Sequence, residues 1–476
     1  MEGTDISQIE VSYLGKLEIT SVDEASIKAF SRDHNEPEWL LEERLKAFEG
    51  FRKLQPESSP LFRKYVDLTG VVLEDYEYLN GERYCSISDT GSSSDGSTAT
   101  GSRSTGENAS RTPMVQDLHQ ALLENEPLVR KAYLSRSVRP ESDKFAALAL
   151  SMFDSGVFIY VPKGLEVNRP VSLEVSLNKS KNAAVHQTLI YLEENSSLNI
   201  LQHDHSKGSR TLFQDVTDLN LSEGSRCSYS DLNGLGEDVL VFSNRRASVW
   251  KDSRVSWMLA HVGGSVVRSR LESAMTGVGS SSETIEVAFG DKEQRFDLVS
   301  DIIFSAPQST GTVLAKAVMK DSSKSIMKGT MGIRSGAKNS RAFLSMHAML
   351  LSKLANADAV PTLEIDTNEV KATHSAAVEQ MDQESLFYLT SRGITEESAR
   401  ELMMFAFFEK AVERIPSSML RIALREMIRR KWTGQLLTSE SGEDAFEDAL
   451  QFSQEAKRSS DVFEGHYKYR TTVSRD

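Results

Sequence analysis

The middle of the chain alternates short apolar runs with polar turns. Beginning near Phe153, β-branched and aromatic residues gather in stretches such as GVFIYVPKG, PVSLEVSLN and HQTLIYLEENSSLNILQHD, and the pattern continues to PTLEIDTNEVKAT. Turns carrying Gly, Asn or Asp recur at intervals of roughly ten to twelve residues, too short for crossover helices between strands. The pattern predicts either stacked sheets or a β-solenoid, in which each coil buries its inner face against its neighbours. No strict sequence repeat decides between the two.

Both ends of the chain show helical spacing instead. After Pro37 the apolar residues fall on one side of an amphipathic helix with one buried face; they are Leu40, Leu41, Leu45, Phe48 and Phe51. Helical text resumes over Val115 to Leu134 and again after Gly393, where Thr395 is an N-cap candidate. The ends are therefore predicted to be helical.

A second C-terminal helix is predicted after Pro416. In SSMLRIALREMIRRKW an apolar stripe of Met419, Ile422, Ala423 and Met427 is surrounded by arginines and Lys431. Such a basic amphipathic helix could lie on a membrane, dock on an acidic partner, or present an ordinary solvated outer face.

The segment from Ser86 to Arg111 is rich in Ser, Gly and Thr and almost free of large apolar residues. It cannot bury enough surface to offset its ordering entropy, which predicts a flexible insertion. The tail shows little periodicity beyond a short helical pattern near Asp444 to Ala456. We divide the chain into a helical part (1–85), the insertion (86–113), a helical continuation (114–152), a β-rich core (153–375), a C-terminal helical part (376–432) and a tail (433–476).

Composition narrows the class of protein. The chain has 476 residues and a net charge of −14, which opposes nonspecific binding to nucleic acid because such binding depends on Lys and Arg. Two cysteines make neither a disulfide framework nor a CxxC site and favour a reducing, cytoplasmic compartment. The first residues lack the apolar run of a secretory signal, and no stretch approaches the roughly twenty apolar residues of a membrane span.

Few motifs carry recognisable chemistry. There is no GxxxxGK[ST] phosphate loop and no GxSxG elbow. Cys227 lies in strand-like text, where a small buried thiol is expected. His203 and His205 are two residues apart, so on a strand both imidazoles would face one side as weak metal-ligand candidates; a solvated strand end is the alternative. His374 stands beside the small residues Ser375, Ala376 and Ala377, and composition alone leaves it structural.

One long stretch carries a family resemblance. PTLEIDTNEVKATHSAAVEQMDQESLFYLTSRGITEESAREL resembles the SufB/SufD family of iron–sulfur cluster assembly proteins, through the ordered spacing from P-x-LEI through H-x-A to LFYL-x-SRGI. EPEWLLEERLKAF, FAALALSMFDSGVFIYVPKGLEVNRPVSLEV and RSGAKNSRAFLSMHAMLLSKLANADAVP agree with it. The resemblance implies a mainly β fold, a right-handed parallel β-helix with helical N- and C-terminal parts.

The resemblance also implies partners. In that family two related β-helix subunits pair through their cores, and each C-terminal helical part docks an ABC-type ATPase, SufC. Here residues 394–432 would be the ATPase-docking part, and a SufB-like subunit or a second copy of this chain would bind the β-helix. A transient iron–sulfur cluster, or iron, is then expected only in the complex.

His374 gains a role from the same resemblance. The SufB branch carries a cysteine within its LFY motif, whereas no cysteine follows Cys227 here. The SufD branch carries a histidine in K-x-x-H-x-A, matched by Lys371, His374 and Ala376. The resemblance therefore implies a non-enzymatic, SufD-like subunit with His374 as an iron or cluster ligand at the subunit interface.

Two alternatives stay open at this point. The chain could be a homodimeric scaffold of the same family that holds iron itself through His374 and other oxygen or nitrogen ligands. A β-helix carbohydrate-active enzyme is the distant alternative, which the lack of a secretory signal and an aromatic content of 8% disfavour.

Overall fold

Strands of the middle region pair with the strand two places away along the chain, not with the next one. The computed structural model describes residues 17–55, 64–66, 68, 71–82, 84–89, 112–207 and 210–434. In this described part, eighteen strands form two nine-stranded sheets, and the odd and even strands alternate between them. Among β3 to β18 the strands pair with one another in parallel only. The result is a parallel β-solenoid of about eight turns, so the β-helix prediction is confirmed and the stacked-sheet alternative is wrong.

The first sheet contains β1 (Cys85–Asp89), β4 (Val171–Leu177), β6 (Ser197–Ser206), β8 (Arg226–Asn233), β10 (Arg254–His261), β12 (Ser281–Gly290), β14 (Thr310–Met319), β16 (Arg341–Leu350) and β18 (Lys371–Gln380). The second sheet contains β2 (Met114–Asp117), β3 (Ser155–Val161), β5 (Ala183–Leu192), β7 (Leu212–Leu221), β9 (Leu240–Val249), β11 (Val266–Met275), β13 (Arg295–Phe304), β15 (Lys324–Ile333) and β17 (Asn356–Ile365).

Alternate side chains of each strand fill the interior between the sheets, as the period of two requires. On β10, for example, Val255, Trp257 and Leu259 belong to the inner core, whereas Met258 and Ala260 belong to a separate cluster on the outer face. Both faces of the strands are buried over much of the solenoid, which explains why their sequences read as nearly continuous apolar runs.

Turns along one edge of the solenoid share a two-residue pattern. A residue with positive φ is followed by a buried serine; at Asp252–Ser253 (φ 52°) the serine hydroxyl donates to Trp250 O, three residues earlier, at 2.6 Å. Gly279 and Gln308 occupy the same positive-φ position in later coils. These serines recur every 27 to 31 residues, at Ser196, Ser225, Ser253, Ser280, Ser309 and Ser340. The solenoid therefore does have a repeat, carried by turn residues and too sparse to see among the apolar runs.

Helices cover the N-terminal end. They are α1 (Glu24–Asp33), α2 (Glu38–Lys53), α3 (Leu118–Leu134) and α4 (Lys144–Met152). The apolar face predicted for α2 is largely confirmed: Leu40, Phe48 and Phe51 are buried, and Leu41 and Leu45 are half-buried.

The helix predicted from Val115 begins later than expected. Residues 114–117 form β2, which pairs antiparallel with β3, with Val115 opposite Ile159. Asp117 then caps α3 by accepting the N–H of Gln120. The helical prediction for 115–117 was wrong because the sheet edge offered backbone partners that sequence spacing cannot show.

Three further helices follow the solenoid, and the last two of them pack on the outer face of the first sheet. They are α5 (Gln383–Ser391), α6 (Glu396–Val412) and α7 (Ser418–Trp432). Thr395 accepts the N–H of Ser398 at 3.3 Å, which confirms it as the N-cap of α6. Strand β18 runs five residues past the predicted end of the core at 375.

Some predictions lie outside this description. The helical pattern near Asp444 to Ala456 falls outside the described residues, as does most of the 86–113 insertion. Among the described helices, none is long and apolar enough to cross a membrane.

Candidate functional site

The two ends of the solenoid differ in how they are covered. At the N-terminal end, β1 pairs antiparallel with β4 and β2 with β3, and helices pack beyond them. At the other end, in the described part of the chain, β17 pairs only with β15 and β18 only with β16. Their outer edges present unpaired backbone groups, a ready template for another chain.

The last coil exposes side chains that would face the core in any earlier coil. Ala372, His374 and Ala376 of β18 stand in register with the core residues Ala342, Leu344 and Met346 of β16. Val378 is 41% exposed and Ile365, at the end of β17, is 44% exposed. Within the described residues, the solenoid therefore ends in a partly apolar coil, formed by β17 and β18, whose free edges and core-facing side chains are exposed; we call it the open end.

His374 occupies the centre of the open end. Its side chain is exposed and is flanked on its own face of β18 by Ala372 and Ala376, whose methyl groups leave room around the imidazole. Lys371, the first residue of the matched motif, is also exposed. An exposed imidazole of this kind has the chemistry of a metal ligand.

Neither cysteine lies near the open end. Cys227 is buried in the inner core on β8, and burial raises the pKa of its thiol. Cys85 lies on β1 at the opposite end, and its thiol pKa is likewise raised by burial, with Asp204 and Asp215 adding to the effect. Both thiols are unfavourable as thiolate ligands or nucleophiles, so any thiolates for a cluster at His374 would come from another chain.

His203 and His205 do lie on one face, the outer face of β6, with ring centroids 5.5 Å apart. The expectation of a solvated strand end was wrong, since they are 8% and 3% exposed. His205 Nε2 is 2.8 Å from Glu174 Oε1, and burial, together with His205, lowers the pKa of His203 to about 4. Within the described residues no three His, Cys, Asp or Glu side chains are arranged to hold a metal ion. A metal role for this pair stays a prediction.

A polar network inside the solenoid was missed by sequence reasoning. Arg245 Nη2 on β9 donates to Asp215 Oδ2 and Asp231 Oδ2, both at 2.7 Å, and all three side chains are almost fully buried. Farther along, Glu286 bonds His261 at 3.1 Å and accepts from Ser300 at 2.9 Å. The signal was present: in SYSDLN, Asp231 follows the core residue Tyr229 by two positions and must share its inward face.

The C-terminal helices present a second candidate surface. Phe387 and Tyr388 of α5 are 73% and 57% exposed, and Leu402 of α6 is 53% exposed. Large apolar side chains exposed together mark interaction surfaces more often than isolated ones do. Phe387 and Tyr388 precede residue 394, so the exposed apolar surface begins before the segment 394–432 that was predicted to dock the ATPase.

The basic face of α7 is occupied within the molecule. Arg425 pairs with Glu409, Arg430 Nε lies 3.0 Å from Glu426 Oε1, and Lys431 is buried. The helix therefore does not offer the continuous unpaired cationic face that membrane binding would use.

Comparison with known proteins agrees with this architecture. Residues 175–407 match the family model described as SUF system FeS cluster assembly, SufBD core domain. The chain is 28% identical over 437 residues to the iron–sulfur cluster assembly protein SufD of Bacillus subtilis, covering 86% of this chain and 98% of that protein. It is 26% identical to a SufBD family protein of Staphylococcus saprophyticus (67% and 69% covered) and 24% identical to one of Staphylococcus aureus (86% and 93% covered).

These matches, together with the solenoid and its helical ends, support the SufB/SufD family of the SUF system for this chain, and its likeness is to SufD.

Proposed function

We propose that this chain is a SufD-like, non-enzymatic subunit of a cytoplasmic scaffold on which iron–sulfur clusters are built. It pairs with a SufB-like subunit through the open end and docks a SufC-like ABC ATPase through its C-terminal helices. The observation that carries the proposal is His374, an exposed imidazole at the centre of a solenoid end that the described chain leaves uncovered.

Chemistry supports a shared cluster site. Iron in assembling clusters is held by thiolates, and an imidazole can take the place of a thiolate at one iron. This chain offers the imidazole at the open end, while both of its cysteines lie elsewhere on the solenoid. A partner that brings cysteines to the same end would complete the ligand set, and the cluster would form at the interface as cargo.

The edge geometry supports pairing between solenoids. A second solenoid whose terminal strands meet β17 and β18 would satisfy the unpaired backbone groups and cover Ile365 and Val378. A second copy of this chain satisfies the same geometry, so the homodimeric scaffold remains the alternative within the family. It would bring two copies of His374 together without any cysteine. The family assignment leaves the carbohydrate-active enzyme without support.

Co-expression tests the proposal. The tagged chain is produced anaerobically alone, with a SufC-like ATPase, and with both the ATPase and a SufB-like subunit, and iron and acid-labile sulfide are measured after purification. We expect little iron on the chain alone and stoichiometric iron only when the SufB-like subunit is present. A stable cluster on the chain alone that survives in every cysteine and histidine variant would contradict the proposal. A homodimer that binds iron with the ATPase alone would favour the alternative.

A further inference from the structure

Polar side chains stand side by side across the outer face of the first sheet from helix α6 to strand β18, joined partly by hydrogen bonds and partly by strand pairing. The row begins at Lys316 on β14, whose Nζ donates to the carbonyl oxygen of Phe407 in α6 at 2.6 Å. The same ammonium group lies 4.0 Å from the centre of the Phe407 ring. Lys316 is only 8% exposed, so this contact between sheet and helix is shielded from water and correspondingly strong.

The next member of the row is His347. It stands beside Lys316 in the register of β14 and β16. Burial and the nearby ammonium groups of Lys316 and Lys410 lower the pKa of His347, against the opposing charge of Glu379. His347 is therefore a neutral imidazole at pH 7, with one ring nitrogen that donates and one that accepts.

Ser375 completes the row on β18. Its hydroxyl donates to Ser345 Oγ at 3.1 Å, so the 3.2 Å contact with His347 is formed by the imidazole Nε2–H donating to Ser375 Oγ. Ser375 follows His374 directly, and successive side chains of a strand point to opposite faces. The two hydrogen bonds thus hold β18 in place on its outer face at Ser375. The neighbouring residue, His374, presents its exposed imidazole on the inner face of the same strand.

The strand that carries His374 has backbone partners on one side only, because β18 pairs with β16 alone in the described chain. An edge strand of this kind is more easily displaced than an inner one, so side-chain contacts to its neighbours weigh more in fixing its position. A metal ligand that moves by about 1 Å loses much of its function.

We propose that Lys316, His347 and Ser375 are positioning residues that couple the placement of helix α6 to the placement of His374. The inference rests on the proposed function, in which the C-terminal helices dock the ATPase and His374 ligates iron. A shift of α6 reaches Lys316 through the Phe407 carbonyl, passes to β16 through its pairing with β14, and reaches β18 through the His347–Ser375 hydrogen bond. Packed side chains with defined hydrogen bonds are the physical means by which such coupling travels.

Ser375→Ala tests the coupling in the assembled complex of this chain with the SufB-like subunit and the ATPase. Iron per complex is measured with and without ATP. In the wild type we expect ATP to change bound iron; in Ser375→Ala we expect the complex to assemble but the ATP-dependent change to shrink roughly threefold or more, within the range of coupling energies between packed sites. Ser375→Thr keeps the hydroxyl in a residue suited to strands, so its ATP-dependent change in bound iron should equal that of the wild type.

Thr373→Ala provides the matched control. Thr373 lies two residues from Ser375 on the same face of β18 and is exposed, so removing its hydroxyl leaves the ATP response intact. Lys316→Met provides a second test at the other end of the row, because it keeps the length of the side chain and removes the donor to Phe407. It is expected to reduce the ATP response as Ser375→Ala does.

His374→Ala separates the two proposals. If it lowers iron while Ser375→Ala and Lys316→Met respond to ATP as the wild type does, the coupling is overturned and the proposed ligand stands. If His374→Ala leaves iron unchanged, the proposed role of His374 fails and the coupling fails with it. The absence of any ATP-dependent change in wild-type iron also overturns the coupling.

Discussion

Asp204 and Asp231 face the interior of the solenoid from neighbouring strands, together with Asp215 and a single arginine, Arg245. Burial, followed by the charges of Asp231 and Asp215, raises the pKa of Asp204 well above its ordinary value, and Asp204 hydrogen-bonds to Asp231. Burial also raises the pKa of Asp231, but less, so Asp204 holds its proton to higher pH and donates it to Asp231, because one arginine cannot balance three buried carboxylates.

Asparagine at Asp204 is predicted to raise stability at high pH. When folding raises the pKa of a carboxyl group, that group lowers the free energy of unfolding as the pH rises above its pKa in the unfolded chain, about 3.9. Asp204→Asn keeps a donor and removes that cost, so its melting temperature should exceed that of the wild type at pH 8 and approach it near pH 4. Thermal unfolding across this range provides the measurement.

Asp231→Asn is the matched substitution with the opposite expected sign. It takes one of two carboxylates from the buried Arg245 and should lower the free energy of unfolding by roughly 3 kcal/mol at pH 7. Equal effects of the two substitutions at every pH would contradict the assignment of the proton to Asp204.

Cys227→Ala should leave the iron content of the assembled complex unchanged. The thiol lies in the apolar core with a raised pKa, so it is neither a ligand nor a sulfur acceptor in this account. We expect a loss of about 1 kcal/mol in stability and no other effect. Loss of iron from an intact Cys227→Ala complex, measured by metal analysis, would show that this chain supplies a thiolate.

At the residue scale, the family motif around His374 singled out that histidine, and the structure places its exposed side chain at the open end of the solenoid; its role as a ligand stays a prediction. The burial of His203 and His205 could not be predicted, because a short polar stretch reads as solvated until the elements that cover it are known. The Arg245 network was missed because its members come from three strands that the chain alone does not bring together.

At the scale of secondary-structure elements, the turns between strands determine how the chain winds into successive coils of the solenoid. Along one edge of the solenoid, a residue of positive φ lets the chain turn, and the serine that follows at Ser196, Ser225, Ser253 and Ser309 donates to a carbonyl of the same turn. Strand existence was predictable from apolar runs, and the helical ends from their spacing. The 114–117 strand was not, since its pairing with β3 is a tertiary contact.

Lys431 anchors α7 to the solenoid. Its Nζ donates to the carbonyl oxygens of Val262 and Phe289, both at 2.5 Å, and to Gln294 Oε1. Burial lowers the pKa of Lys431 to about 8. Lys431→Met removes the ammonium donor from these buried acceptors, which costs about 2 kcal/mol.

We therefore expect hydrogen exchange of α7 in Lys431→Met to quicken by about 30-fold, the factor that corresponds to 2 kcal/mol, with the solenoid strands unaffected. Lys410→Ala, which alters an exposed lysine on α6, should leave α7 exchange unchanged. Unaltered exchange of α7 in Lys431→Met would contradict the anchoring role.

At the scale of the whole molecule, the asymmetry between the two ends of the solenoid determines where another subunit can add. The N-terminal end is closed by antiparallel strands and helices, whereas β17 and β18 are left with open edges in the described chain. Sequence pattern predicted the strands and their approximate limits but not which end is covered, because capping depends on the packing of distant segments.

Val378→Arg is predicted to prevent pairing at the open end. A charge placed among the apolar side chains of the interface would weaken partner binding by about 100-fold or more. The isolated chain should keep its melting temperature, because the side chain is 41% exposed. Val278→Arg is the control, since Val278 is 40% exposed on a turn remote from the open end. Equal binding of both variants to the SufB-like subunit, measured by calorimetry, would exclude the open end as the interface.

The most direct test of the account is the iron and sulfide content of the complete complex with His374→Ala against the wild type. Because an imidazole ligand cannot be replaced by a methyl group, we predict an assembled complex that loses iron by roughly tenfold or more. Unchanged iron and sulfide in an intact complex would show that this chain is a structural half of the scaffold and that its partner alone holds the cluster.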